Sequence, residues 1–401
     1  MMAMEKNNKT LNVPNLRFPE FSGEWESVRL GDVCKFFSGG TPSSTNKDFY
    51  GGDIPFIRSG EIHSSSTELY ISEAGLNSSS AKIIEQGDLL LALYGATSGD
   101  IAISKIKGAI NQAILCIRTN HDNFFLKSCW EKHCRKLLQT YLQGGQGNLS
   151  ADIVKSIKMS FPSCLEQKKI SGLLALIEER IETQKKIIED LKKLKDAINN
   201  SLHNSIKDYQ TFSFNELGND YCGLKGKSSD DFGSGFPYIS YLNVFRNDVV
   251  TDEQFDYVKV AIGEKQNIVR DGDLIFTLSS ETPSEVGIGA IYQGQTTPLY
   301  LNSFCFGVHL SNQEKIYGPY LAYFVTSQYF RRTILPFAQG STRYNLMKSD
   351  FMKHKFCFPN MASQKAIYNA LHALSEKIQN EEVCLNKYTE QKQYLLTRLF
   401  I

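Results

Sequence analysis

The chain is written twice, and this long internal repeat limits its architecture more tightly than any motif does. Near the end of each half a Gly-rich turn leads into a matching run, Gly147-Asn148-Leu149-Ser150 in the first and Tyr344-Asn345-Leu346-Met347 in the second, so that Asn148 and Asn345 stand 197 residues apart. The same offset continues without a gap through Phe161-Pro162 and Phe358-Pro359, Gln167-Lys168 and Gln364-Lys365, Ile170 and Ile367, and Ile181 and Ile378. It reaches back to Arg135 and Arg332 and to Leu138 and Leu335. Earlier in the halves, Gly87-Asp88-Leu89-Leu90 answers Gly272-Asp273-Leu274-Ile275 at an offset of 185, so insertions and deletions have accumulated between the two stretches. A gapless helical portion joined to globular portions that have drifted predicts one shared frame carrying two different globular domains.

The helical portion can be read residue by residue. Ser163 with Glu166 three residues on has the form of a capping box, which predicts a helix starting just after Pro162. From there Ile170, Leu174, Ile177, Ile181, Gln184, Ile188, Leu191, Lys195, Ile198 and Leu202 step by alternating fours and threes along one seam. The second half gives Ile367, Leu371, Leu374, Ile378, Glu381, Leu385, Tyr388, Lys392, Leu395 and Leu399, with polar residues at the same two steps. Polar seam residues can fix the register of a helix pair, which would set Gln184 near Glu381 and Lys195 near Lys392; the alternative is that they snorkel to water at solvated points of the seam. An apolar seam needs a partner to be stable, so the two helices are expected to pair.

Short β-type runs bounded by turn residues precede each helix: Ile54–Ile57, Leu89–Tyr94, Ile101–Ser104 and Ala113–Ile117, then a helix over Phe124–Leu142. The order recurs as Tyr238–Tyr241, Leu274–Leu278, Ala290–Tyr292 and Phe304–Leu310, then a helix near Tyr320–Leu335. The expected fold class is α+β: two similar mixed α/β domains in tandem, each followed by a long helix, the two helices pairing as an antiparallel coiled coil. The expected divisions are an N-terminal segment over 1–21, a first globular domain over 22–160, a central spacer helix over 161–207, a second globular domain over 208–357 and a C-terminal spacer helix over 358–401.

Composition excludes several classes. With 41% hydrophobic and 22% charged residues the chain is that of an ordinary folded protein, and its longest apolar runs are far too short to cross a bilayer, so a cytoplasmic location is expected. Nine scattered cysteines, an odd count, suit reduced thiols better than a disulfide framework. Cys129, His133 and Cys134 lie close on the expected helix, but no second ligand pair at matching spacing accompanies them, and no metal site is expected. A net charge of +1 argues against a protein that coats nucleic acid by sheer basicity, while leaving room for local basic patches.

Ser38-Gly39-Gly40-Thr41-Pro42-Ser43, then Gly51-Gly52-Asp53-Ile54-Pro55-Phe56-Ile57-Arg58-Ser59-Gly60-Glu61-Ile62, Gly87-Asp88-Leu89-Leu90-Leu91 and Gly95-Ala96-Thr97 resemble the domains of specificity subunits of Type I restriction-modification enzymes. Gln143-Gly144-Gly145-Gln146 and the helix start from Phe161-Pro162 to Gln167-Lys168-Lys169 complete the pattern. With the second copy the resemblance covers nearly the whole chain. That copy departs from it by lacking the Gly-Gly-Thr-Pro and Gly-Gly-Asp-Ile-Pro stretches, keeping only Phe236-Pro237-Tyr238-Ile239 near that place. The resemblance implies a non-catalytic subunit that reads an asymmetric bipartite site in double-stranded DNA, one half per target-recognition domain, with the helices setting the gap. It also implies two methyltransferase subunits that modify adenine with S-adenosylmethionine, and two restriction subunits that use ATP and Mg2+, with no cofactor on this chain. The roughly 33 residues from Ile170 to Leu202 would form a rod of about 50 Å, comparable to about one and a half turns of duplex.

Base reading favours side chains with paired donors or acceptors, and phosphate positioning uses Lys, Arg, Ser, Thr and backbone N–H groups. The leading candidates lie at the Gly-rich turns: Gln143, Gln146 and Asn148 in one half, Arg343, Tyr344 and Asn345 in the other. Lys47, Arg58, Tyr94, Thr97 and Ser98 follow in the first domain, and Lys225, Lys227, Ser279, Ser280 and Thr282 in the second. For each the competing reading is a solvated loop residue or a turn former. No Gly-rich cofactor loop with an Asn/Asp-Pro-Pro-aromatic stretch, and no phosphate-cradling Gly-x-x-x-x-Gly-Lys-Ser/Thr loop, is present, so no catalytic residue is assigned. The rival function is a scaffold that pairs proteins through its helices without reading DNA.

Overall fold

Two apolar runs, Leu89–Ala92 and Leu274–Thr277, are buried on both faces, and each becomes the interior strand of a sheet. Alternate side chains leave a strand on opposite sides. Leu89 and Leu91 therefore enter one core while Leu90 and Ala92 enter another, and Leu274 and Phe276 part from Ile275 in the same way. The computed structural model describes residues 11–141, 149–204, 208–253, 255–312 and 314–401. It divides into two units, one of Met1–Lys185 with Cys384–Ile401 and one of Lys186–Val383.

In the first unit a four-stranded antiparallel sheet runs in the order Cys34–Ser38, Ile114–Thr119, Leu89–Ala92, Ile101–Ile103. A second sheet of Leu69–Ile71, Tyr50–Ile57, Gly108–Ile110 and Lys82–Ile84 contains one parallel pair, with Phe56 opposite Ala109. Helix Asn123–Tyr141 follows, begun by the Asp122 carboxylate accepting from the Phe125 N–H at 2.8 Å. The second unit repeats this plan. Gly218–Cys222, Cys305–Leu310, Leu274–Thr277 and Gly289–Tyr292 form the equivalent sheet, extended by Val249–Val250, and Phe232–Ile239 pairs in parallel with Tyr300–Leu301.

Strand register locates the drift between the copies. Leu91 faces Ile101 and Leu115, and Phe276 faces Gly289 and Phe306, so the offset grows from 185 to 188 across one loop and reaches 191 on the next strand. The loop that absorbs the first three residues carries Thr97 and Ser98 in one copy and Ser280 and Thr282 in the other.

Some conserved features were hidden by the drift. The second copy does retain the bulged strand whose Gly-Gly signature it lacks in sequence: Ile71 faces both Tyr50 and Ile54, and Val258 faces both Phe232 and Phe236. Both copies place a left-handed residue directly after the first paired position of the bulge, Gly51 (φ 75°) and Gly233 (φ 98°), and the second copy adds another at Gly235 (φ 111°). Both Gly-Asp turns are latched alike. Asp88 accepts from the Glu85 N–H and pairs with Arg118, whose guanidinium lies over Phe37; Asp273 accepts from the Arg270 N–H and bonds His309, which stacks on Tyr221.

Two expected elements differ. The strand placed at Tyr238–Tyr241 stops at Ile239, because Ser240 and Asn243 form a capping box that starts helix Tyr241–Arg246. The helix expected near Tyr320–Leu335 is broken into Leu321–Phe324 and Gln328–Ile334. Fully buried Ser327 causes the break: its hydroxyl donates to the Phe324 carbonyl at 2.6 Å and accepts from the Phe330 N–H at 3.2 Å.

The long helices span Cys164–Asn204 and Met361–Leu399. Every residue of the two expected seams is buried or half-buried. Within the first unit Ile170 and Leu174 share a core with Leu396 and Leu399; within the second, Leu202 and Ile198 pack on the core of Ile367 and Leu371. The start of each helix thus lies with the end of the other, which is antiparallel pairing. The capping box is only half formed: Ser163 Oγ accepts from the Glu166 N–H at 3.4 Å, but the Glu166 carboxylate is taken by Arg17 at 2.8 Å.

Gln167 and Gln364 explain the gapless offset at the helix starts. Both are 1% exposed. Gln167 donates to the Pro162 carbonyl at 2.9 Å and accepts from the Asp122 N–H at 3.1 Å; Gln364 donates to the Pro359 carbonyl at 2.8 Å and accepts from the Tyr317 N–H at 2.7 Å. Each glutamine ties a helix start to its own globular domain, and any slip would leave both backbone groups unpaired.

Candidate nucleic-acid interface

Each domain pins the loop that leaves its buried strand by the same backbone bonds. The Leu93 N–H donates to the Ala113 carbonyl at 2.8 Å, and its carbonyl accepts from the Leu149 N–H at 2.9 Å. In the second domain the Leu278 N–H donates to Phe304 at 2.7 Å, and the Leu278 carbonyl accepts from Leu346 at 2.8 Å. The far end of the loop is held from the following helix. Trp130 Nε1 (2.8 Å) and Cys134 Sγ (3.3 Å) donate to the Gly99 carbonyl. Arg331, 197 residues after Cys134, donates to the carbonyls of Gly287 (2.7 Å), Ser284 (2.6 Å) and Val286 (3.0 Å). Burial pushes the Arg331 guanidinium down to about 10. Cys134 is therefore a loop anchor and Cys129 a core residue; among the described residues no group of three metal-ligating side chains occurs.

This frame gathers most of the second-domain candidates. Ser279 pairs with Asn345 and Ser280 with Tyr344 in a small antiparallel sheet completed by Ala338–Gln339. Ser279 and Ser280 are buried, and Ser280 Oγ donates to Glu285 at 2.6 Å, so these serines shape the platform. Thr282, Arg343 and Asn345 are exposed on it, and Tyr344 is half-buried. The Arg343 guanidinium sits 4.8 Å from the ring centroid of Phe304, itself 48% exposed.

Lys225 and Lys227 lie elsewhere in the second domain. Lys225 is exposed, whereas the Lys227 ammonium is almost fully buried against Glu264 at 2.6 Å. That ion pair, with a hydrogen bond from Gln266, holds the Glu264 carboxyl at about 2.

In the first domain Tyr94, Thr97 and Ser98 share the pinned loop: Tyr94 is exposed, Thr97 closes a short 3-10 turn, and Ser98 Oγ donates to the Leu93 carbonyl at 3.0 Å. Lys47 is exposed on a separate turn. Arg58 is committed to Glu61 at 3.1 Å and Glu68 at 2.5 Å. It occupies the position of Ser240 in the second copy and caps the turn that follows. Gln143, Gln146 and Asn148 lie outside the described residues.

Both seam lysines are engaged within their own units. Lys392, in the first, bonds Glu131 at 2.8 Å and Glu178 at 2.6 Å, in a cluster closed by Lys127. Lys195, in the second, bonds Asp248 at 2.6 Å. Gln184 is buried in the first unit, and Glu381 pairs with Lys377 in the second.

Sequence reading missed Phe304 and Arg331. Shifting the repeat to an offset of 191 sets Phe304 against Ala113, a signal that appears only once the intervening insertions are known. A lone arginine holding three carbonyls leaves no signal of its own.

Twin domains of one plan, with conserved loop anchoring and dissimilar loop tips, define a tandem recognition protein. A family model described as the Type I restriction modification DNA specificity domain matches twice, over residues 22–207 and 206–388, and the chain belongs to that family. It is similar to the Type I restriction enzyme MjaVIII specificity subunit of Methanocaldococcus jannaschii, 24% identical with 94% of this chain and 92% of that protein covered. It also resembles the HindI specificity subunit of Haemophilus influenzae, 28% identical over 37% of this chain and 35% of that one. The solved S subunit of the Type I restriction-modification system from M. genitalium shares the fold, with a TM-score of 0.58, 15% identity, and 97% of this chain and 99% of that chain covered. DNA recognition by two domains, not scaffolding alone, is the role of this family.

Proposed function

We propose that this chain is the sequence-reading subunit of a Type I restriction-modification complex, in which each domain reads one half of an asymmetric bipartite site in double-stranded DNA. The observation that carries the reading is the pinned loop: the anchoring backbone bonds recur in both domains, while the side chains at the anchors differ, Ala113 in one against Phe304 in the other. A common frame with different side chains is what two readers of different half-sites require, and the two long helices set the gap between the half-sites.

Catalysis is assigned to partners: two methyltransferase subunits that modify adenine with S-adenosylmethionine, and two restriction subunits that use ATP and Mg2+. An apolar stripe supports partner docking on the central helix. Leu165 and Leu176, eleven residues apart, are 73% and 60% exposed in the first unit; Ile187 and Leu194, seven apart, are 40% and 47% exposed in the second. Among the described residues no helix is long and apolar enough to cross a membrane, and we place the complex in the cytoplasm.

Selection from a randomised duplex library by this chain with its methyltransferase subunit tests the reading. Enrichment of two short motifs at a fixed separation is expected; a bound pool no different from the input contradicts it.

A further inference from the structure

We infer that Phe304 and Arg343 form a base-reading pair that selects a thymine next to a guanine in the half-site of the second domain, an inference that rests on the DNA-reading function proposed above. Phe304 is a large apolar ring left 48% exposed at the start of strand Cys305–Leu310, where its own backbone is fixed: the carbonyl accepts from Leu278 at 2.7 Å and the N–H donates to Asn302 Oδ1 at 2.9 Å. Arg343 holds its guanidinium 4.8 Å from that ring's centroid. Among the described residues Arg343 has no carboxylate within ion-pair distance, in contrast to Arg58, Arg118 and Lys227, which are neutralised within the fold.

A guanidinium resting against an aromatic ring keeps its N–H fork free at the edge. That fork matches the O6 and N7 acceptors of guanine in the major groove, and an exposed phenyl ring suits the thymine methyl. Stacking also removes rotamer freedom from the arginine before it meets DNA, so less is lost on binding. The neighbouring platform is rigid as well, because Arg343 directly precedes strand Tyr344–Leu346, which pairs with Ser279–Ser280. Ala113 holds the matching backbone position in the first domain, so the aromatic belongs to the second reader alone.

The test is to map methylation motifs for the complete complex carrying Phe304→Ala, Arg343→Ala or Arg343→Lys. The wild-type motif should contain a T·A pair beside a G·C pair in one half-site. Arg343→Ala and Arg343→Lys should cut discrimination at that G·C pair by about ten- to a hundredfold, and Phe304→Ala should relax the adjacent T·A pair, with the other half-site unchanged as an internal control. A half-site without guanine, or variants that weaken binding equally on all sequences and keep the motif, overturns the inference and makes Arg343 a phosphate contact. If wild-type complex yields no bipartite motif, it is the DNA-reading function that fails instead.

Discussion

Replacing Gln364 by Leu should destabilise the second unit, and replacing Gln167 by Leu should destabilise the first to a similar degree. Leucine has nearly the volume of glutamine, so little cavity is created and the effect is that of the hydrogen bonds. In each case a buried backbone carbonyl, of Pro359 or Pro162, loses its donor and a backbone N–H, of Tyr317 or Asp122, loses its acceptor. Leaving a buried polar group unpaired costs about 1–3 kcal/mol, so two such groups, offset in part by the easier burial of leucine, give about 2–4 kcal/mol. For units of this size that lowers the melting temperature by about 2–4 °C per kcal/mol, or roughly 8 °C in all. Calorimetry of each variant, with hydrogen exchange at Asp122 and Tyr317 to localise the loss, measures it. Shifts below about 2 °C in both variants would refute the view that these glutamines bind helix starts to domains; a shift in one alone would refute the equivalence of the two copies.

Three further outcomes follow from local contacts. Lys392→Met should cost the first unit about 1–3 kcal/mol at neutral pH, since Glu131 and Glu178 lose a half-buried partner. Against its burial, Lys127 and Lys392 hold the Glu178 carboxyl below the usual carboxylate range, so the wild-type advantage exists above the unfolded value and fades as pH falls through the folded one; urea titrations from pH 7 to pH 3 should show the two proteins converging. Gly51→Ala and Gly233→Ala should each cost about 1 kcal/mol by thermal melting, because both sites have positive φ but no neighbour near an added Cβ. Arg331→Ala frees three loop carbonyls and should blur the methylation motif in one half-site only, whereas Cys134→Ala, which removes one weak donor, should leave specificity nearly intact.

The helices were the most legible part of this protein. Their seams ran from Ile170 to Leu202 and from Ile367 to Leu399, and burial follows both, because a helix's buried face depends on local periodicity. The globular domains were less legible for the opposite reason. Their strands pair over long range, so the match between Gly51 and Gly233 emerges only when each is seen to lie within a bulge whose flanking residues face a single partner, Ile71 or Val258. Charge alone does not show which basic side chains the fold pairs internally. Arg58 and Lys227 have the chemistry of DNA contacts, yet Glu61, Glu68 and Glu264 hold them, and no sequence pattern announces those partners. Strand pairing brings Thr282 onto one platform with Arg343, Tyr344 and Asn345, which the sequence offered as separate candidates, and Phe304 beside them was an ordinary strand residue in sequence.

The most direct test of the account is to express this chain with its methyltransferase subunit and map N6-methyladenine across a host genome by single-molecule sequencing. Two rigidly spaced readers predict a split, asymmetric motif with a fixed gap, one half of which changes when residues 208–357 are exchanged for those of another family member. Methylation that is absent, or unaltered when this chain is omitted although the complex is stable, would contradict it.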